Sequence, residues 1–223
     1  MINFHPSDEL LARYARADLS AGLSLAVATH LDYCSICRAS VAEFEQAAAD
    51  DLLELEAASE DMPAFDTMLD DILQSEPPEK TGKAIDKTQT SFIKVNEQKF
   101  VLPQTLSHFY SSDGRWRKFG GVHSNKLGAF DDFRSSLIYI EADTQVPKHT
   151  HKSLEITIVL AGDLCDEQGH YQPGDFIVLD NNVTHMPTTR PNQSCLCLAV
   201  MDAPVQFTQG AARLLNPFAS LMY

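Results

Sequence analysis

The sequence predicts a multidomain α plus β protein, in which a small helical bundle is followed by an antiparallel β-sandwich or small barrel. Apolar residues recur at helical spacing over residues 6–74, a polar stretch without apolar periodicity follows, and short β-rich runs separated by turn residues fill the chain from Phe92 onward. The expected divisions are a helical domain at 1–76, a linker at 77–90, a β-barrel domain at 91–205 and a tail at 206–223 that packs on the barrel or on a partner.

Four helices are predicted in the first part. The segments "PSDELLARYARA" and "LSLAVATHL" give the first two, and Pro6 and Ser7 suit the start of the first. The third has an apolar stripe formed by Val41, Phe44, Ala48, Leu52 and Leu55. The fourth begins near Asp61 and Pro63, and its apolar side carries Phe65, Met68, Leu69, Ile72 and Leu73. Because its other side is acidic, we expect this last helix to be strongly amphipathic.

The second part of the chain has the pattern of a β domain. The polar segment "SEPPEKTGKAIDKTQTS" contains two prolines and a glycine, which is typical of a linker. It is followed by the β-rich runs "FIKV", "KFVLP", "SSLIYIEA", "LEITIVLAG", "DFIVLD" and "SCLCLAV". Many short strands with turn signals between them favour a sandwich or small barrel.

The acidic charge is concentrated in the helical part. Residues 1–80 hold 17 Asp and Glu against 4 Lys and Arg, whereas residues 81–223 hold 14 against 13, and the net charge of the whole chain is −14. This asymmetry argues against direct nucleic-acid binding by the helical part and favours a basic protein partner. The alternative is a solvated acidic surface that only aids solubility.

We expect a cytoplasmic protein without a membrane span. The apolar stretches are much shorter than the roughly 20 residues that cross a bilayer, and the first residues do not have the basic-then-apolar pattern of an export signal. In a reducing compartment, five cysteines are better explained as metal ligands or free thiols than as a disulfide framework.

A first candidate metal site lies in "HLDYCSIC". His30, Cys34 and Cys37 are spaced i, i+4 and i+7, which places them on one face of a helix or of a helix that runs into a turn. Zinc takes four Cys and His ligands, and His5, just before the first helix, is the candidate for the fourth. The alternatives are a core histidine with two buried cysteines, or a redox thiol pair, although the βαβ context of such pairs is missing.

The pattern H-x24-H-x3-C-x2-C, together with "HPSD" at its start, resembles the zinc-binding anti-sigma domain of bacterial transcription regulators. This resemblance implies that His5, His30, Cys34 and Cys37 bind zinc together. It also implies three bundled helices and a fourth that helps to clamp a sigma factor, masking the surfaces with which the sigma factor binds RNA polymerase.

A second candidate metal site is spread over the β domain. His149, His151 and Glu155 have equal parity, so on one extended strand their side chains would face the same way. His185, after the turn at Asn181 and Asn182, could supply a fourth donor from a neighbouring strand. Imidazoles with a carboxylate suit zinc, iron, manganese or nickel. The alternative is that these are surface histidines on a polar strand.

The pattern H-x-H-x3-E-x6-G, which ends at Gly162, closely resembles the first cupin motif, and the segment from Gly174 to His185 resembles the second more loosely. The second departs from its pattern at Asn181 and Asn182, where a proline is common, and it lacks the asparagine often found after the histidine. The resemblance implies a cupin-type antiparallel β-barrel that binds zinc or another divalent transition metal through His149, His151, Glu155 and His185.

The two modules together resemble the ChrR-type anti-sigma factors, a zinc-binding anti-sigma domain followed by a cupin. That resemblance implies a regulator, not an enzyme, which holds an extracytoplasmic-function sigma factor inactive and releases it on singlet oxygen or organic hydroperoxide sensed through the cupin. One alternative is a cupin-type metal-dependent dioxygenase with a structural zinc domain, and another is a cupin storage or ligand-binding module. We expect Cys195 and Cys197 to pack as small apolar groups inside the barrel; a part in sensing is the alternative hypothesis.

Overall fold

The computed structural model describes residues 1–53, 64–75, 91–110 and 115–218. The predicted linker at 77–90 and the predicted start of the fourth helix near Asp61 and Pro63 lie outside these residues. The helices of the first part are α1 (Asp8–Ala15), α2 (Ala21–Tyr33), α3 (Ser35–Leu53) and α4 (Ala64–Gln74). The predicted fold class, with helices first and an antiparallel β domain after them, is confirmed.

Local side-chain contacts fix the starts of the first two helices. The hydroxyl of Ser7 accepts a hydrogen bond of 3.2 Å from the backbone N–H of Leu10, and Ser20 caps α2 in the same way through Leu23 at 3.5 Å. Two acidic residues in the first turn of α1 also favour its positive N-terminal end. The helix α1 packs against α3 and buries Leu11.

Thirteen strands and two short helices follow in the described part of the second domain. The strands are β1 (Phe92–Val95), β2 (Gln98–Val101), β3 (Arg117–Phe119), β4 (Val122–Phe130), β5 (Phe133–Ile140), β6 (His149–Thr150), β7 (Glu155–Ala161), β8 (Leu164–Cys165), β9 (His170–Tyr171), β10 (Phe176–Leu179), β11 (Thr184–His185), β12 (Cys195–Met201) and β13 (Gln206–Phe207). The helices are α5 (Gln104–Ser107) and a C-terminal 3-10 helix (Gly210–Phe218).

Two sheets form the walls of the barrel. The larger has the strand order β10-β7-β12-β5-β4-β3, and the smaller has the order β11-β6-β13; all their pairings are antiparallel. The strands β7 and β12 lie inside the larger sheet and are almost wholly buried, which explains the continuous apolar sequence of β12 and the apolar run at 158–161 of β7. The strand β4 was not predicted, because its buried positions include polar Ser124 and Asn125 and no apolar alternation marks it.

The helical part and the barrel share one apolar core. The helix α2 packs on β5, β7 and β12, and one buried cluster joins Leu25 and Val27 of α2 to Ile156 and Leu198 of the barrel. The approach is so close that a Cβ added at Gly22 would lie 2.4 Å from the Cβ of Phe133. The helix that carries His30 therefore lies directly on the barrel.

Candidate metal centres

The first cluster is assembled at a break between two helices. His30 lies in the last turn of α2, Cys34 ends that helix with an extended backbone (φ −105°, ψ 105°), and Cys37 lies in the first turn of α3. The backbone N–H of Cys37 donates to the sulfur of Cys34 at 3.4 Å. The two cysteines and the histidine therefore converge because the chain turns at Cys34, and not because one continuous helix carries all three.

His5 completes this cluster from the extended segment before α1. Its Nδ1 lies 3.5 Å from Sγ of Cys34 and 3.3 Å from Sγ of Cys37, while Nε2 of His30 lies 3.3 Å from Sγ of Cys37. One donor atom from each residue falls within 4.8 Å of the others. Tetrahedral zinc bound by two nitrogens and two sulfurs requires donor separations of about 3.4–3.8 Å. The three contacts of 3.3–3.5 Å are close to these separations, so the four predicted residues could hold a metal ion.

The protonation of this cluster depends on whether a cation is bound. Burial, together with the neighbouring Cys34, raises the pKa of Cys37 to about 12, and burial lowers the pKa of His30. In the absence of a cation, the thiol of Cys37 therefore keeps its proton and His30 stays neutral. A divalent ion would stabilise the thiolate form and release that proton on binding.

The second cluster joins two strands of the smaller sheet. His149 on β6 and His185 on β11 are directly paired in the register, and His151 follows β6. Glu155 is the first residue of β7, which belongs to the larger sheet. The prediction that one extended strand carries His149, His151 and Glu155 is wrong, because β6 ends at Thr150 and the chain turns before β7 begins.

The three imidazoles nevertheless meet at one point. Nε2 of His185 lies 3.1 Å from Nε2 of His149 and 3.2 Å from Nε2 of His151, and all three rings are buried. Three nitrogens that face one another cannot all be satisfied by shared protons, whereas a divalent transition metal would take a lone pair from each. Burial, and then the nearby His185, lowers the pKa of His149 to about 4, so this ring is neutral and suited to be a ligand.

Glu155 lies beside this trio, outside the set of converging donor atoms. Its Oε2 is 2.8 Å from Nδ1 of His151, but the contact is not aligned as a hydrogen bond, so both atoms are buried without a hydrogen-bond partner. Burial alone raises the pKa of Glu155, but His151 and His149 outweigh this effect and lower it to about 2. Its other oxygen, Oε1, accepts a hydrogen bond of 2.9 Å from the hydroxyl of Thr157, so Oε2 alone is left to face a cation.

Two outer contacts orient the imidazoles. Asp166 accepts at Oδ2 a hydrogen bond of 3.0 Å from Nδ1 of His185, and the carbonyl oxygen of Pro147 accepts one of 2.8 Å from Nδ1 of His149. Both bonds leave Nε2 free to point into the cluster, which is the usual support of a metal-binding histidine. No spacing in the sequence marks Asp166, because it lies 19 residues from His185 and meets it only through the fold.

A cavity of about 460 Å³ adjoins the second cluster inside the barrel. His149, Glu155 and His185 line one part of its wall. Most of the rest is apolar and includes Val122, Ile138, Ile140, Ile177, Leu179 and Ala199. A cavity of this size suits a small organic molecule more apolar than water.

Cys195 and Cys197 lie on β12, as predicted for small apolar groups inside the barrel. They are 0% and 2% exposed, and their sulfurs are 3.4 Å apart. The contact with Cys197, and then burial, raises the pKa of Cys195, which keeps this thiol protonated. Cys197 also lines the cavity.

Comparisons with known proteins agree with this architecture. The family model of the ChrR cupin-like domain matches residues 108–204. Over 225 aligned residues the chain is 31% identical to the anti-sigma-E factor ChrR of Cereibacter sphaeroides, and the match covers 97% of this chain and 98% of that protein. The chain belongs to the ChrR family of anti-sigma factors. This family consists of regulators, which sets aside the cupin dioxygenase considered from the sequence.

Solved structures extend this relationship to the ChrR fold. One chain of the crystal structure of Rhodobacter sphaeroides SigE in complex with the anti-sigma ChrR matches with a TM-score of 0.70 and 28% identity, over 90% of this chain and 99% of that chain. A cupin protein from Ralstonia eutropha JMP134 matches 45% of this chain and 71% of its own length, with 13% identity and a TM-score of 0.41. Among the described residues, none of the helices is both long and apolar enough to span a bilayer.

Proposed function

We propose that this chain binds and inhibits an extracytoplasmic-function sigma factor in the cytoplasm, and releases it when the metal-bound cupin domain senses singlet oxygen or an organic hydroperoxide. The main support for the proposal is the similarity to ChrR over almost the whole chain, since ChrR has been crystallised in complex with SigE. The proposal requires neither a nucleic acid nor a membrane as a direct partner.

The surface of α4 supports a protein partner. The four apolar side chains Met68, Leu69, Ile72 and Leu73 are 56%, 46%, 64% and 72% exposed. An apolar stripe of this kind on an exposed helix is typical of a surface that a partner covers. Asp70 and Asp71 lie on the same helix beside this apolar stripe, so the helix as a whole suits a partner that is basic around an apolar contact.

We assign zinc to the first centre, with His5, His30, Cys34 and Cys37 as ligands. Two cysteines and two histidines in a tetrahedral arrangement are the donor set of a closed structural zinc site. Zinc bound there would tie the N-terminal segment, α2 and α3 to one another. Its part is therefore to fix the shape that the helical domain presents to the sigma factor.

We assign zinc or another divalent transition metal to the second centre, with His149, His151 and His185 as ligands and Glu155 completing the set. When bound, such a metal supplies a Lewis acid, and iron or manganese would also supply a redox-active centre. The apolar cavity beside it favours an organic hydroperoxide over hydrogen peroxide. The signal can shift the equilibrium only if it changes the relative free energies of the bound and released states.

The first experiment is co-purification of the full chain with the extracytoplasmic-function sigma factors of its own source, with metal content measured on the same sample. The proposal predicts a stoichiometric complex that contains zinc and is lost when Cys34 and Cys37 are replaced by serine. The matched control is Cys165→Ser, because Cys165 is partly exposed and lies outside both clusters. A folded, zinc-loaded chain that binds none of these sigma factors would contradict the proposal.

We further propose that the surface that binds the partner lies within residues 1–90, although α2 shares its apolar core with the barrel. Both the zinc ligands of the first centre and the exposed face of α4 lie in this segment. Loss of partner binding by a zinc-loaded full chain, when an exposed barrel residue such as Val178 is replaced, would contradict this assignment.

A further inference from the structure

A backbone carbonyl of the barrel hydrogen-bonds the zinc ligand His30 at the ring nitrogen that faces away from the metal site. Its Nδ1 lies 2.7 Å from the carbonyl oxygen of Gly174, in the turn just before β10. Because a carbonyl oxygen can only accept, Nδ1 of His30 must carry the proton, and its Nε2 keeps a lone pair for the metal. A ligand histidine fixed in this way is oriented and made more basic by its outer partner.

The next barrel residue holds the segment that carries His5. Asp175 is 0% exposed, and its Oδ1 accepts hydrogen bonds from the backbone N–H groups of Asn3 at 2.7 Å and Phe4 at 3.1 Å. The backbone N–H of Phe176 donates in turn to the carbonyl oxygen of Phe4 at 3.0 Å. The residue directly before His5 is therefore tied to the barrel through both its N–H and its C=O.

Asp175 and Gly174 are both suited to the turn before β10. The second oxygen of Asp175, Oδ2, accepts from the backbone N–H of Gln172 at 2.7 Å, so three N–H groups offset the cost of burying the charge. Gly174 has a φ of +94°, and a Cβ there would lie 2.6 Å from Cδ1 of Ile2 and 2.9 Å from Cβ of Tyr33. Only a glycine lets the turn, α2 and the N-terminal segment come this close.

We infer that Gly174 and Asp175 of the barrel are positioning residues for the zinc centre of the helical domain. They hold two of its four ligands, His30 and His5, which lie on separate elements. A displacement of this one turn therefore loosens both histidines at once. The turn leads directly into β10, whose residues Ile177 and Leu179 line the cavity, so the two centres are joined by a short stretch of chain. The inference rests on zinc binding by the first centre and is independent of the partner's identity.

The test is zinc retention by the full chain carrying Asp175→Asn. The amide must point an NH₂ group at one of the three N–H donors, so we expect zinc to leave the first centre for a competing chelator about tenfold faster than in the wild type. Substitution with cobalt(II) reports on this centre separately, because of the two centres only this one has thiolate donors and hence a thiolate-to-cobalt absorption band. Metal retained by the barrel centre serves as the internal reference.

Two further variants separate an effect on the zinc centre from general destabilisation of the fold. Asp163→Asn is the matched control, because Asp163 is also a buried barrel carboxylate but is paired with His170 and Arg190. Ile2 belongs to the N-terminal segment, outside the barrel, and Ile2→Ala removes its packing against Gly174. This variant tests the same contact if Asp175→Asn does not fold, and we expect it to release zinc severalfold faster than the wild type.

Wild-type release rates in folded Asp175→Asn and Ile2→Ala would overturn the inference, and so would an equal acceleration by Asp163→Asn, since the effect would then be general destabilisation. A wild-type chain that retains no zinc, and shows no thiolate-to-cobalt band, would overturn the metal assignment together with the inference.

Discussion

The carboxylate of Asp166 accepts a hydrogen bond of 3.0 Å from Nδ1 of His185, on the side of the ring opposite the nitrogen that meets His149 and His151. The other oxygen of Asp166 accepts from the N–H groups of Gln168 and Gly169 and from the hydroxyl of Tyr171. This carboxylate is therefore fixed by its own turn before it orients the imidazole.

Replacement of Asp166 by asparagine is expected to weaken metal binding at the barrel centre by about 10–100-fold. The amide gives a weaker hydrogen bond to His185 and makes its ring less basic. Competition with a chelator of known affinity measures the change. Asp180→Asn is the control, because Asp180 is exposed and its carboxylate accepts hydrogen bonds from Asn182 in its own turn. Equal metal affinity in the wild type and Asp166→Asn would argue against this role.

Replacing Ala199 by a larger residue tests whether the organic hydroperoxide reaches the barrel centre through the cavity. Ala199 is buried on β12 and lines the cavity, so Ala199→Phe would fill part of its volume. We expect the concentration of organic hydroperoxide that releases half of the sigma factor to rise about tenfold or more, equivalent to about 1.4 kcal/mol, with sigma binding itself unchanged. Val178→Phe is the control on the exposed side of β10. If the two variants respond alike, the cavity is not the route.

A charge on the apolar face of α4 tests the partner surface. Ile72 is 64% exposed, so Ile72→Glu leaves the fold intact. The sigma factor is expected to bind about 30-fold more weakly, a loss of about 2 kcal/mol, because a charge is then buried in the interface. The measurement is the dissociation constant of the purified pair. Leu214→Glu, at an exposed apolar residue of the C-terminal 3-10 helix, is expected to bind normally.

The close contact between α2 and the barrel can be tested at Gly22. A Cβ at this position would lie 2.4 Å from Cβ of Phe133, so Gly22→Ala must push the helix away from β5. We expect a loss of about 1–3 kcal/mol in the free energy of unfolding, measured by chemical denaturation. Gly169→Ala is the matched control, because its nearest contact would be an ordinary 3.4 Å to Phe4. Equal stability of the two variants would mean that the interface yields without cost.

Sequence patterns predicted the elements wherever one face of an element is apolar. The helical stripe through Val41 and the apolar run of β7 each have a period that follows from burial on one side or on both. The same reasoning missed β4, since buried Ser124 and Asn125 interrupt the apolar pattern there. It also placed Glu155 on the strand of His149, because parity alone does not reveal that the chain turns after Thr150.

The sequence by itself determined which residue types form the two candidate metal centres. The H-x3-C-x2-C and H-x-H-x3-E spacings place most of the candidate ligands close to one another along the chain. Only the tertiary structure decided how those donors are supported. Asp166 reaches His185 across 19 residues, and Gly174 reaches His30 across 144, so no local spacing could report either contact. Both depend on the packing of one element against another, which buries the hydrogen bonds and gives each imidazole a single orientation.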